Sequence, residues 1–213
     1  MTNPKIEQHT LALPSGHFPS SLIKTEKSKG KLAVVLPGAG YSCKMPLLYF
    51  SVQVLLNKGF DVITIDKMYA DDPKWRELTT MESALKVVED DSHELFDQIP
   101  KKLGSEIHTV LGRSLGTYTM ACALKKGKFR PRQLVWQTPS LNDNWEVIKN
   151  CGIKGFGIIG TADQRYDIAK PYMPETSLIV ENADHGMEIP GDPVRSVGTL
   201  QQVIKATDEW VQI

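Results

Sequence analysis

Two textures of apolar and polar residues alternate along the chain. Short continuous apolar runs at 31–36, 60–65, 106–111, 134–137, 155–159 and 177–180 read as buried β-strands, because a strand covered on both faces loses its in–out alternation. Between them lie stretches whose apolar residues recur at helical spacing. One helix is expected around 47–56, stopped by Gly59. A long surface helix carries Ala84, Leu85, Val88, Leu95 and Ile99 on one stripe and opens at the capping-box spacing of Thr79-Thr80-Met81-Glu82. Residues 115–124, rich in Ala, Leu and Met, read as a packed helix. Asp192-Pro193 opens a last helix, with Val197, Leu200, Ile204 and Trp210 on one face. Ahead of all these, 9–13 and 20–24 are strand-like pieces around Pro14-Ser15-Gly16, an antiparallel hairpin. The alternation predicts an α/β architecture: a mostly parallel twisted sheet, helices on both faces, and an antiparallel entry. In such a sheet ligand chemistry gathers beyond the carboxyl ends of the strands.

Composition narrows the class. A length of 213 residues suits one sizeable core and is short for two, so 1–213 reads as a single domain. Lys plus Arg and Asp plus Glu number 25 each, so there is no electrostatic footprint for nucleic acid or an anionic membrane surface; a small-molecule partner is expected, and neither nucleic acid nor membrane. Oligomeric state is left open. The three cysteines, Cys43, Cys122 and Cys151, are odd in number and lack metal spacing, and Met1-Thr2-Asn3-Pro4-Lys5 lacks the apolar core of a signal peptide. Those features point to a cytoplasmic protein with reduced thiols. No apolar run approaches the roughly 20 residues of a membrane span.

The chemistry concentrates on Gly112-Arg113-Ser114-Leu115-Gly116, a Gly-x-Ser-x-Gly between an apolar strand and an apolar helix. In that context the serine sits on a sharp turn that lifts its hydroxyl above the sheet edge. A neutral hydroxyl is a weak nucleophile, so an imidazole must take its proton and a carboxylate must fix the tautomer of that imidazole. Asp163 follows the strand at 155–159 and His185 the strand ending at Val180, so the chain order is Ser, Asp, His, at three carboxyl ends. His9 and His17 sit in the entry hairpin, His93 on the long helix and His108 within a strand, all away from those ends. Asp143, after the strand ending near Gln137, and Asp184, beside His185, are rival acids; Asp163 is preferred. Arg113 is expected to pair with an acid below the turn. Tyr41, Cys43, Tyr69 and Trp75 stand where they could line a pocket. Gly38-Ala39-Gly40 followed by Lys44 fails as a phosphate loop, since Cys43 and Met45 replace the required Gly and Ser/Thr.

With these residues in hand the chain resembles the α/β-hydrolase family, in particular its small lidless members akin to dienelactone hydrolases and short-chain esterases. The resemblance runs from Lys31 to Ile213 and rests on four segments: the elbow at 112–116, Gly160-Thr161-Ala162-Asp163, Asn182-Ala183-Asp184-His185-Gly186, and Pro37-Gly38-Ala39-Gly40. The family often has His-Gly where this chain has Pro37-Gly38, and a further Gly where it has Thr117. The resemblance implies the three-layer α/β-hydrolase fold without a cap domain, 138–153 leaving room for little more than a short helix around Trp145. It implies catalysis by Ser114, His185 and Asp163 on a small ester, thioester or related acyl bond, without metal or organic cofactor. It further implies an oxyanion hole built from the N–H groups of Leu115 and Ala39, with Gly40 or Tyr41 as fallback donor. A ligand-binding protein on the same fold, or an acyltransferase or perhydrolase with the same three residues, are the alternatives.

Overall fold

A computed structural model describes residues 4–127 and 129–213, so the first three residues of the polar N-terminus lie outside the described part. Eight strands form one sheet: β1 (Lys5–Leu13), β2 (Gly16–Lys24), β3 (Lys31–Leu36), β4 (Phe60–Ile65), β5 (Ile107–Arg113), β6 (Gln133–Gln137), β7 (Lys154–Gly160) and β8 (Ser177–Val180), in the order β1-β2-β4-β3-β5-β6-β7-β8. The pairs β1–β2 and β2–β4 are antiparallel and the other five are parallel, as the expected hairpin followed by β–α alternation requires. Both hairpin strands run longer than expected, paired from Lys5 opposite Lys24 to Leu13 opposite Gly16. Pro19 disguised β2: it cannot donate to a ladder, and the pairing of β2 with β4 begins one residue beyond it, at Ser20.

Strand parity sorts the core into two layers. Leu32, Val34 and Leu36 of β3, Val110 of β5, and Leu134 and Trp136 of β6 face one way; Ala33, Val35, Leu111 and Val135 face the other. The first layer is covered by α3 (Met81–Leu103) and α4 (Leu115–Lys125), the second by α1 (Pro46–Lys58) and α7 (Pro193–Trp210). Short helices α2 (Pro73–Arg76), α5 (Glu146–Asn150) and α6 (Tyr166–Ala169) sit in the connections. Between β6 and β7 the chain adds only a 3₁₀ turn and α5, with Trp145 buried and stacked on Tyr172.

Two helices differ in detail from expectation. The N-cap of α3 is Thr80 rather than Thr79: its hydroxyl accepts from the Ser83 N–H at 3.1 Å, while the Ser83 hydroxyl returns to the Thr80 carbonyl at 2.8 Å. The Ser83 hydroxyl thus donates to the Thr80 carbonyl, where a capping-box Glu would accept from the N-cap N–H. In α7 the buried face is Thr199, Val203 and Thr207, whereas Val197 is 68% exposed. The threonines are silent in a hydropathy pattern, yet each hydroxyl donates to the carbonyl four residues back, Thr199 to Arg195 and Thr207 to Val203, which removes the cost of burying it.

Candidate functional site

The turn from β5 into α4 is closed by contact, not by preference alone. A methyl group on Gly116 would lie 2.7 Å from the carbonyl oxygens of Leu36 and Pro37, and one on Gly112 would lie 2.5 Å from the Met120 sulfur and 2.7 Å from the Gly116 carbonyl. Only hydrogen fits at either place, and the elbow tightens until Ser114 adopts φ 51°, ψ −117°, a conformation that side-chain-bearing residues rarely hold. Neighbouring groups pin it there. The Ser114 N–H donates to the Gln137 carbonyl at 3.0 Å, and its carbonyl accepts from the Thr117 N–H at 2.8 Å and the Thr117 hydroxyl at 2.5 Å. Thr117 thus takes up a place where the resembled family often has glycine, and its hydroxyl also accepts from the Ser140 N–H at 3.0 Å.

Asp163 and His185 arrive on two loops that are stitched together. The Thr161 N–H donates to the Val180 carbonyl, the Ala162 N–H to the Ala183 carbonyl, and the Asn182 N–H to the Thr161 hydroxyl. Gly160 has room only for hydrogen because the Ala183 carbonyl lies against it. His185 Nδ1 is 2.7 Å from Asp163 Oδ2, and His185 Nε2 is 2.9 Å from Ser114 Oγ. A carboxylate only accepts, so the proton belongs on Nδ1, leaving the Nε2 lone pair for the serine hydroxyl. The Asp163 side chain is wholly buried and that of His185 is 31% exposed, so the imidazole is the open end of the relay. Burial pushes the Asp163 carboxyl up, but hydrogen bonds from His185 and from the Arg165 N–H at 2.9 Å outweigh it and hold the group below the usual carboxylate range.

The rival acids are placed elsewhere. Asp184 turns into its own loop, where one carboxylate oxygen accepts from the N–H groups of Gly186 at 2.7 Å and Glu188 at 3.0 Å. Asp143 lies in the 3₁₀ turn before α5, hydrogen-bonded from neighbouring Asn142. The turn carrying Ala39 packs directly on the elbow, since a methyl on Gly38 would be 3.5 Å from Ser114 Cβ. Leu115 opens α4, where the first N–H groups have no partner within the helix. The Gly38 N–H donates to the Tyr41 carbonyl and the Ala39 carbonyl accepts from the Ala70 N–H, which sets the conformation of that turn; Gly40 is exposed beside Ala70.

Arg113 differs most from expectation. No carboxylate pairs with it among the described residues; instead Nη2 donates to the His185 carbonyl at 3.0 Å and the guanidinium lies 3.7 Å over the ring of Tyr41. Tyr41 is held in turn by its hydroxyl, which accepts from the Leu47 N–H at 3.0 Å. One buried cation therefore ties together the elbow, the Ala39 turn and the base loop. Tyr41 also borders a groove of about 420 Å³ alongside Gly186 and Met187. Cys43, grouped with Tyr41 in the sequence, is turned into the core with its thiol directed at the carbonyls of Val35 and Ile65, and burial pushes that thiol's pKa up. Tyr69 and Trp75 pack against each other with their rings tilted by 39° and border a cavity of about 250 Å³ next to the hairpin turn, with the Tyr69 hydroxyl donating to buried Asp91 at 2.9 Å. Among the described residues, no His, Cys, Asp and Glu are grouped as a metal site would require, and no helix is long and apolar enough to cross a membrane.

No family model matches the chain, and no curated protein sequence does either. Solved structures do. A dienelactone hydrolase from Anabaena variabilis superimposes with a TM-score of 0.72 at 14% identity, covering 98% of this chain and 97% of that one. The chain has the α/β-hydrolase fold. The likeness extends to a serine hydrolase without lid from Xanthomonas campestris, with a TM-score of 0.65 at 14% identity over 100% of this chain and 98% of that one. An esterase domain from Rhodothermus marinus gives 0.64 at 9% identity over 96% and 98%. Within the α/β-hydrolase fold the elbow, the Asp163 turn and the His185 loop all sit at carboxyl ends of parallel strands, where this architecture gathers its chemistry.

Proposed function

We propose that the protein is a serine hydrolase that cleaves a small ester, thioester or related acyl bond through an acyl-enzyme on Ser114. The observation that carries this reading is the unbroken relay from Ser114 Oγ through both nitrogens of His185 to Asp163, at 2.9 and 2.7 Å. Ser114 Oγ attacks the acyl carbon as Nε2 takes its proton, and the charge that develops on the carbonyl oxygen meets the N–H groups of Leu115 and Ala39. The imidazolium then hands its proton to the leaving group. Water repeats the sequence in reverse, with the same nitrogen as base, and frees the acid. A single domain without a cap leaves this site open, which suits short acyl groups better than long lipids. A fluorophosphonate probe is the direct test: the adduct is expected on Ser114 and is expected to be absent from His185→Ala. An adduct elsewhere, or undiminished labelling of His185→Ala, contradicts the reading.

Arg113 enters the same proposal as a positioning residue, because its reach to the His185 carbonyl fixes where the base loop lies. Arg113→Met should lower kcat by about 10²-fold with KM nearly unchanged, since a base displaced by about 1 Å loses that much. Arg113→Lys, which can restore one donor to the carbonyl, should recover part of the loss. If both variants lower kcat equally and in step with melting temperature, the residue acts on stability alone.

A further inference from the structure

We propose that the amino-terminal edge of the sheet, opposite the Ser114 site, carries a second site that binds a compact anion of the oligophosphate class through Lys31, Arg130, Arg132 and Lys154. Sheet order assembles it. Lys31 begins β3, Arg132 immediately precedes β6 and Lys154 begins β7, while Glu106 and His108 flank the start of β5 between them. Adjacent strands are about 4.8 Å apart, so four neighbouring strands set these groups in a row along one rim. Lys154 and Arg132 are drawn together because Gln133, which follows Arg132, lies opposite Lys154 in the β6–β7 register. Arg130 is tied to the same rim by a hydrogen bond of 2.8 Å from Nη1 to the Cys151 carbonyl. Around them is a cavity of about 580 Å³, a size ordinary for small-ligand sites.

Charge is the reason to expect a ligand there. The whole chain is formally neutral, yet this cavity gathers four cations against one carboxylate, Glu106. Among the described residues no carboxylate makes an ion pair with any of the four. Like charges held together destabilise a fold, and the contacts these side chains make, Lys154 over the Trp210 ring at 5.0 Å and Arg130 to the Cys151 carbonyl, bring no negative charge to offset that cost. In sequence the feature is the stretch at 125–132, Lys-Lys-Gly-Lys-Phe-Arg-Pro-Arg, in which five of eight residues are cationic; the neutral total masks it. The His108 imidazole senses the field: burial first, then Lys31 and Arg132, hold it below its ordinary value. Two arginine forks suit the paired oxygens of phosphate groups, and two lysines add point charges that a single monovalent anion would leave unmatched. Among the described residues the His108 imidazole is the one aromatic ring in the lining, with no Phe, Tyr or Trp on which successive bases could stack, which favours an oligophosphate over a nucleic-acid strand.

Inorganic tripolyphosphate is a suitable probe, added to the full chain and followed by calorimetry and by the NMR signals of His108, assigned with His108→Gln. Saturable one-to-one binding is expected, with the His108 titration moving upward as the anion offsets Lys31 and Arg132. A Lys31→Ala/Arg132→Ala double variant should bind more weakly by about tenfold or more, with a melting temperature no lower than that of the wild type. An equal response to sodium sulfate at matched ionic strength, or undiminished binding in the double variant, overturns the site. Binding of a single-stranded oligonucleotide without binding of tripolyphosphate overturns the assigned ligand class. None of these results depends on whether Ser114 is a nucleophile.

Discussion

Ser114→Ala and His185→Ala should each lower kcat on a short-chain aryl ester by about 10⁶-fold, and combining them should cost little more, because nucleophile and base act as one unit. The geometry makes the two changes equivalent. Removing the hydroxyl leaves Nε2 with no proton to accept; removing the ring leaves a hydroxyl that stays protonated and a buried Asp163 carboxylate without its partner. The substitutions should differ in stability. Ser114→Ala keeps the strained φ of 51° and loses one hydrogen bond, whereas His185→Ala strands a carboxylate whose low pKa depends on the imidazole. Thermal melts beside the kinetics separate the effects: His185→Ala should melt lower than Ser114→Ala. Turnover that survives either substitution within about tenfold would sink the acyl-enzyme reading.

Much of the fold was legible because local rules and strand parity agree. Continuous apolar runs mark strands buried on both faces, and β3 shows why: its odd and even residues enter different core layers, so neither set can be polar. The elbow was legible for a steric reason, since both glycines are required by contacts that any Cβ would violate. What escaped the sequence shares one property, in that it depends on backbone groups distant along the chain. The acceptor for Arg113 is a carbonyl 72 residues away, and a carbonyl carries no sequence signal, so an acid was the natural expectation. Thr199 and Thr207 were missed because their polarity is cancelled by carbonyls within α7. Tyr69 was grouped with the site by its place after β4, but its hydroxyl is claimed by Asp91, a buried residue on α3 that also accepts from the Ser15 N–H and hydroxyl of the hairpin turn. The basic rim was hidden by a total charge of zero.

Asp163→Asn should reduce kcat by about 10⁴-fold at neutral pH while leaving the fold intact. An amide presents a donor as well as an acceptor to Nδ1. If the donor faces the ring, the proton moves to Nε2, and the imidazole then offers Ser114 an N–H instead of a lone pair. Asp184→Asn is the matched control: among the described residues that carboxylate accepts from N–H groups of its own loop alone, at 2.7 and 3.0 Å, so the amide oxygen can keep both contacts and turnover should change by less than about tenfold. The pH dependence of stability gives a second, independent reading. The folded-state pKa of Asp163 lies below its unfolded value, near 3.9, so its contribution is fully present above that pH and fades as pH falls through the lower folded value. Asp163→Asn should therefore lower stability at pH 5 and close the gap to wild type as the pH approaches 2, measured by denaturant melts across that range. A gap that persisted unchanged at the lowest pH would mean that packing around residue 163, and not its charge, holds the base loop in place.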